Sequence, residues 1–297
     1  MHQHTHHHGH NGSKNIAVAF FLNFSFTLIE LAGGLFTNSV AILSDAVHDF
    51  GDSISLALAW YFEHISHHRS TRQFTYGYRR FTLLGALINA LVLLIGSSLI
   101  IYECVQRFFE PQAVNAVGML WLAVLGIVVN GAAVFYTRGK DSGINERVVS
   151  LHMLEDVLGW IAVLVVSIVM YFVDLPILDP LLSIAIAIFV LINVVRNMIE
   201  TFHVMLEGVP VDVDLDALKT KLEQLPEIDN VHDLHVWSLD SQFNVASLHV
   251  VVASKDLYDF ERIKALKQRI KALMRDEHIA HTTVEFEAIG EDCEKCS

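Results

Sequence analysis

Residues 40–62 read VAILSDAVHDFGDSISLALAWYF. The run is as long as a bilayer crossing, which takes roughly 20 residues of helix. Most of it is apolar, yet it carries Asp45, His48, Asp49 and Asp52. Offsets of 3, 4 and 7 from Asp45 place these residues on one stripe of a helix. A charged side chain inside a membrane helix costs at least about 2.5 kcal/mol on insertion scales, so a stripe of this kind marks function.

Five more apolar runs lie at 15–36, 81–104, 115–136, 149–172 and 178–199. The whole chain is 53% hydrophobic and 18% charged over 297 residues, against about 25% charged in a soluble domain. The sequence thus predicts an α-helical membrane protein with six transmembrane helices. Basic loops stay in the cytoplasm. The 63–80 loop holds Arg69, Arg72, Arg79 and Arg80, and the 137–148 loop holds Arg138, Lys140 and Arg147. The 37–39 and 173–177 loops hold no Lys or Arg, and 105–114 holds only Arg107. An even number of spans then puts both termini in the cytoplasm. Short loops look bacterial, which predicts a multi-pass protein of the inner membrane.

Charge concentrates after Glu207. This shift divides the chain into a His-rich cytoplasmic tail at 1–14, a transport domain at 15–207 and a cytoplasmic domain at 208–297. In the last of these, 213–225 and 259–274 have helical periodicity, with Ile263, Leu266, Ile270 and Leu273 on one face. Residues 232–239, 244–253 and 282–286 read as strands. The result is a small α+β unit. The net charge of −13 argues against nucleic acid as a partner, because a phosphate backbone demands a basic face.

The fifth span repeats the motif of the second: His152, Glu155 and Asp156 give the same His-to-Asp offset of 4. Two helices can each offer one imidazole and one carboxylate to a shared point. Zinc accepts that set in a tetrahedron, whereas magnesium or calcium prefers oxygen alone. A polar helix–helix contact is the bland alternative, and the repetition in two spans favours metal. Asp49 and Glu155 can serve as outer partners, as proton carriers or as residues facing an aqueous cavity. Four protein ligands leave no open position for a substrate, which argues against an enzyme. Binding needs neutral His and ionised Asp, so protons compete with metal, and His titrates near physiological pH. The expected activity is metal/proton antiport, with protons as counter-ion. A simple ladder of spans would place the two pairs near opposite faces, so they meet only if boundaries slide or helices tilt.

Ser44-Asp45-Ala46-Val47-His48-Asp49-Phe50-Gly51-Asp52, Tyr76-Gly77-Tyr78-Arg79-Arg80, His152-Met153-Leu154-Glu155-Asp156 and Leu178-Asp179-Pro180-Leu181 together resemble the cation diffusion facilitator family of zinc transporters. The resemblance runs from Asn15 to Glu287. It implies a homodimer, a six-helix transport domain and a cytoplasmic ferredoxin-like domain that binds further metal. It maps the transport site onto His48, Asp52, His152 and Asp156, in the zinc-preferring form, and efflux from the cytoplasm onto the activity. Asn23 and Glu30 also follow the family pattern. Asp49 and Glu155 stand where relatives often have an uncharged residue. Phe74 and Tyr78 occupy the positions of a second ion site found in some relatives, with His64, His67 and His68 nearby.

In the tail, His232, His249, Glu285 and Glu287 resemble the family's regulatory zinc positions, with His235 and His281 as weaker candidates. Cys293-x-x-Cys296 has ligand spacing, but two cysteines cannot close a zinc site. Either a histidine of the N-terminal tract (HQHTHHHGH, residues 2–10) joins them, or they are free surface thiols. With Cys104 in an apolar run, no disulfide framework is readable. Two other readings stand beside zinc transport: a membrane zinc sensor, and a transporter preferring cadmium, cobalt or nickel, since transition-metal selectivity rests on fine geometry.

Overall fold

The computed structural model describes residues 9–66, 71–137, 144–173, 175–253 and 259–291, with backbone alone at 9–19, 59–60, 62–66, 133, 136–137 and 144–153. The first eight residues, His67, His68, Cys293 and Cys296 therefore lie outside the described residues, as do the side chains of His10, His64 and His152. The chain forms two compact units, one of Met1–Arg69 and Gly85–Met198, the other of Ser70–Leu84 and Ile199–Ser297.

The first unit is built from six long helices: α1 (Gly9–Thr37), α2 (Val40–Ser66), α3 (Phe81–Phe109), α4 (Ala116–Thr137), α5 (Ile144–Phe172) and α6 (Leu178–Met205). They match the six spans expected from the apolar runs. By length and composition, Phe20–Thr37, Phe81–Phe109, Leu154–Phe172 and Leu178–Met205 each suffice to cross a membrane, and α4 contributes a shorter apolar stretch, Ala116–Ala132. In α2 the stripe of Asp45, Asp49 and Asp52 interrupts the apolar run. Leu35, Leu91, Leu99, Val128 and Phe189 all point outward, an apolar surface suited to lipid.

The turn between α1 and α2 is tight. Asn38 takes a left-handed conformation (φ 55°), which Asn tolerates better than most residues. Ser39 then caps α2, its Oγ accepting from the Ile42 amide at 3.3 Å. Helices α1 and α2 pack along each other, as do α4 and α5, while α1 touches α4 and α2 touches α5. Gly126 of α4 lies flat against the indole of Trp160, where a small residue permits close helix approach. Phe26 of α1 meets the same indole edge-on at 6.1 Å.

In the second unit, α7 (Leu215–Glu223), β1 (Ile228–Ser238), β2 (Asn244–Val252), α8 (Phe260–Asp276) and β3 (Ile279–Ala288) follow in the expected ferredoxin-like α+β order. The sheet runs β1-β2-β3, with β1 antiparallel and β3 parallel to β2. Asp214 and Asp259 cap the two helices, accepting from Ala217 N at 3.0 Å and Arg262 N at 3.2 Å. Leu218 and Leu222 of α7 and Leu266, Ile270 and Met274 of α8 bury one face of the sheet against Val231, Val236, Leu248 and Val250. Alternation along β2 therefore turns His249, between Leu248 and Val250, to the opposite face. The α2–α3 loop belongs to this unit: Arg79 bonds Asp240 at 3.0 Å and lies over the Phe243 ring, and Tyr76 meets His281 edge-on.

Candidate metal sites

In α2, His48 Nε2 stands 3.7 Å from Asp52 Oδ2, one turn on. Both side chains are about a quarter exposed, at 25% and 24%, as ligands reached from a cavity would be. Asp156 of α5 is half-buried. The position of α5 against α2 follows from one contact: Asp45 Oδ1 lies 3.8 Å from where a Cβ on Gly159 would stand. Successive spans alternate in direction, so the second and fifth, three crossings apart, run in opposite directions. Three residues on in α2 and three back in α5 bring His48 level with Asp156, and one further turn brings Asp52 level with position 152. The mismatch in depth expected from the sequence is thereby reduced. Helix α5 is 29 residues long, or about 43 Å, against about 30 Å of bilayer core, so distance from its first residue does not measure depth.

Behind this pair lies a carboxylate-lined interior. Asp45 interacts electrostatically with Asp49, His48, Asp156 and Asp52, and Glu30 of α1 with Asp49, Asp45 and Asp156. Glu30, Asp45 and Asp49 are all buried. Asn23 fastens α1 to this part of α2, donating to the Asp49 carbonyl at 3.0 Å and to Ser53 Oγ at 3.1 Å. Glu155 is exposed, so Asp49 and Glu155 have different surroundings. Clustered anions in a low-dielectric cleft raise the local concentration of cations.

The one group of three metal-capable side chains converging within 4.8 Å among the described residues is in the tail: His232, His249 and Glu287. His232 and His249 are direct cross-strand partners. Glu287 bridges them, with Oε2 2.9 Å from His232 Nε2 and Oε1 2.5 Å from His249 Nδ1. Two histidines and a carboxylate are three of the four ligands of a zinc tetrahedron, in which donor atoms stand about 3.4 Å apart. A small opening of the cluster therefore admits the ion. Glu285 lies 3.6 Å from His249 Nε2 and is exposed.

Asp233, which the sequence did not single out, belongs here too. A β-bulge between His232 and His235 leaves Asp233 with a positive φ of 49°. Its carboxylate stands 3.5 Å from His249 Nε2 and 2.8 Å from His235 Nε2. The bulge was detectable: Val231 and Val236 both face the core although five residues apart, which an unbroken strand cannot do. His281 does not join the cluster and meets Tyr76 edge-on instead. Phe74 and Tyr78 pack together with ring centroids 5.0 Å apart.

Residues 16–206 match the family model of the cation efflux transmembrane domain, and residues 210–289 match that of the cation efflux protein cytoplasmic domain. The chain is 34% identical over 288 residues to a cadmium, cobalt and zinc/H(+)-K(+) antiporter of Bacillus velezensis, covering 95% of this chain and 91% of that one. It is 32% identical over 299 residues to the zinc transporter ZitB of Pectobacterium atrosepticum, covering 99% and 92%. To the metal cation efflux system protein CzcD of Cupriavidus metallidurans it is 31% identical over 286 residues, covering 96% and 89%.

Proposed function

The chain belongs to the cation efflux, or cation diffusion facilitator, family of zinc transporters, and from that premise we propose that it exports zinc, with cadmium and cobalt as related cargo, in exchange for protons. His48 and Asp52 of α2, with His152 and Asp156 of α5, hold the ion in transit. The observation that supports this reading is the approach of Asp45 in α2 to Gly159 in α5, since a register built on it brings His48 toward the level of Asp156. Ion and anions offset each other's desolvation in the bilayer, which a lone carboxylate could not achieve. With four protein ligands the set suits carriage rather than catalysis.

Protons are the counter-ion that this chemistry supports, since protonation of His and Asp expels the metal. Potassium enters only through the name of the Bacillus velezensis relative. In this reading residues 15–207 form the transport domain, and both the 1–14 tail and the 208–297 domain face the cytoplasm at the inner membrane. Zinc binds in the tail at His232, His249 and Glu287, with Glu285 beside them. The match to a cytoplasmic model designated a dimer module supports a homodimer. Sealed proteoliposomes loaded at low pH and diluted into neutral zinc solution should take up zinc several times faster than vesicles without a gradient. A rate independent of the gradient would remove proton exchange from the proposal.

A further inference from the structure

The motif Leu178-Asp179-Pro180-Leu181 has no part in the two metal sites. Its Asp179 is fully buried at the start of α6. The carboxylate accepts from Ser39 Oγ at 2.5 Å, from the Val40 amide at 2.8 Å and from the Ala41 amide at 3.2 Å. Those three donors are the cap and first turn of α2, themselves fully buried. The Ser39 hydroxyl satisfies only the Ile42 amide, so the buried Val40 and Ala41 amides at the start of α2 depend on Asp179 for an acceptor. A carboxylate from another helix adds a fixed connection between α6 and α2, strengthened by the positive end of the α2 dipole.

A second tie lies beside it. Arg107 of α3, also buried, donates to the Asn38 carbonyl at 2.7 Å and to Asn38 Oδ1 at 2.8 Å, with Glu103 at 3.0 Å holding its Nε. Helices α3 and α6 thus both grip the turn that begins α2. His48 follows Val40 by little more than two turns, about 12 Å, and α2 is continuous between them.

We propose that Asp179 is a positioning residue of the transport site: it holds the start of α2 against α6 and so sets where His48 and Asp52 present themselves to the ion. The proposal rests on the reading that His48 and Asp52 bind the transported metal. Asp179 itself need not touch the ion.

The test uses full-length protein in proteoliposomes, with zinc uptake measured against zinc concentration and folding checked by thermal melting. Asp179→Asn should raise the zinc KM at least fivefold. Ser39→Ala, which removes one of the three bonds, should raise it about twofold. His48→Ala should abolish uptake. An unchanged KM in Asp179→Asn, or a maximal rate lowered alone, overturns the proposal. Should Asp179→Asn not fold, Ser39→Ala decides by the same measure, an unchanged KM there overturning the proposal. Uptake surviving His48→Ala would instead refute the transport site.

Discussion

Glu287 bridges two imidazoles across the sheet, and a ligand so placed is hard to replace. Glu287→Gln removes one anionic donor yet keeps the shape. Zinc titration of the full-length protein should then lose its tail site, with affinity down by at least tenfold, while saturating transport rates stay within about twofold. Equal affinity in the variant would remove Glu287 from the ligands. His232, His249 and Glu287 could be named from the sequence because a family resemblance supplied them. Asp233 could not, since its nearness to His249 depends on a bulge that strand alternation conceals. The two His-x-x-x-Asp pairs were legible because ionisable residues are costly inside apolar runs and are kept there for function. Which residues of α5 approach α2 was not, because that depends on how the two helices cross.

Elements were the most legible level, since apolar runs and helical periodicity follow directly from burial. The sequence placed strand β3 at 282–286, whereas it extends over Ile279–Ala288; pairing with β2 along Asn244–Val252 lengthens it beyond what its own apolar residues suggest. In α8, Ile270 is fully buried among tail-core residues. Ile270→Ala should cost about 2–5 kcal/mol through lost burial and a cavity, seen as faster amide exchange across α8 and β2 with α1–α6 unchanged. In the other unit, Gly126→Leu drives a side chain into Trp160, and overpacking of that sort costs about 1–3 kcal/mol. It should lower the melting temperature of the full-length protein, whereas Gly131→Leu, where nothing lies within 4 Å of the added Cβ, should not.

For the molecule as a whole, composition alone separated a membrane part from a charged tail. It did not reveal that the loop before α3 packs with the tail, because Tyr76, Arg79 and Tyr78 read as an ordinary basic cytoplasmic loop. Arg79 is 43% exposed, so its bond to Asp240 and its place over Phe243 are together worth about 1 kcal/mol. Arg79→Ala should raise amide exchange in 71–80 while leaving the tail core protected. Protection unchanged in that loop would show the contact to be energetically idle. The central claim is that zinc moves through the α2–α5 pairs and only binds in the tail. It is tested most directly by zinc uptake into proteoliposomes carrying wild type, His152→Ala or His232→Ala protein under one pH gradient. The expected result is uptake lost in His152→Ala and kept in His232→Ala; uptake retained in His152→Ala and lost in His232→Ala would contradict it.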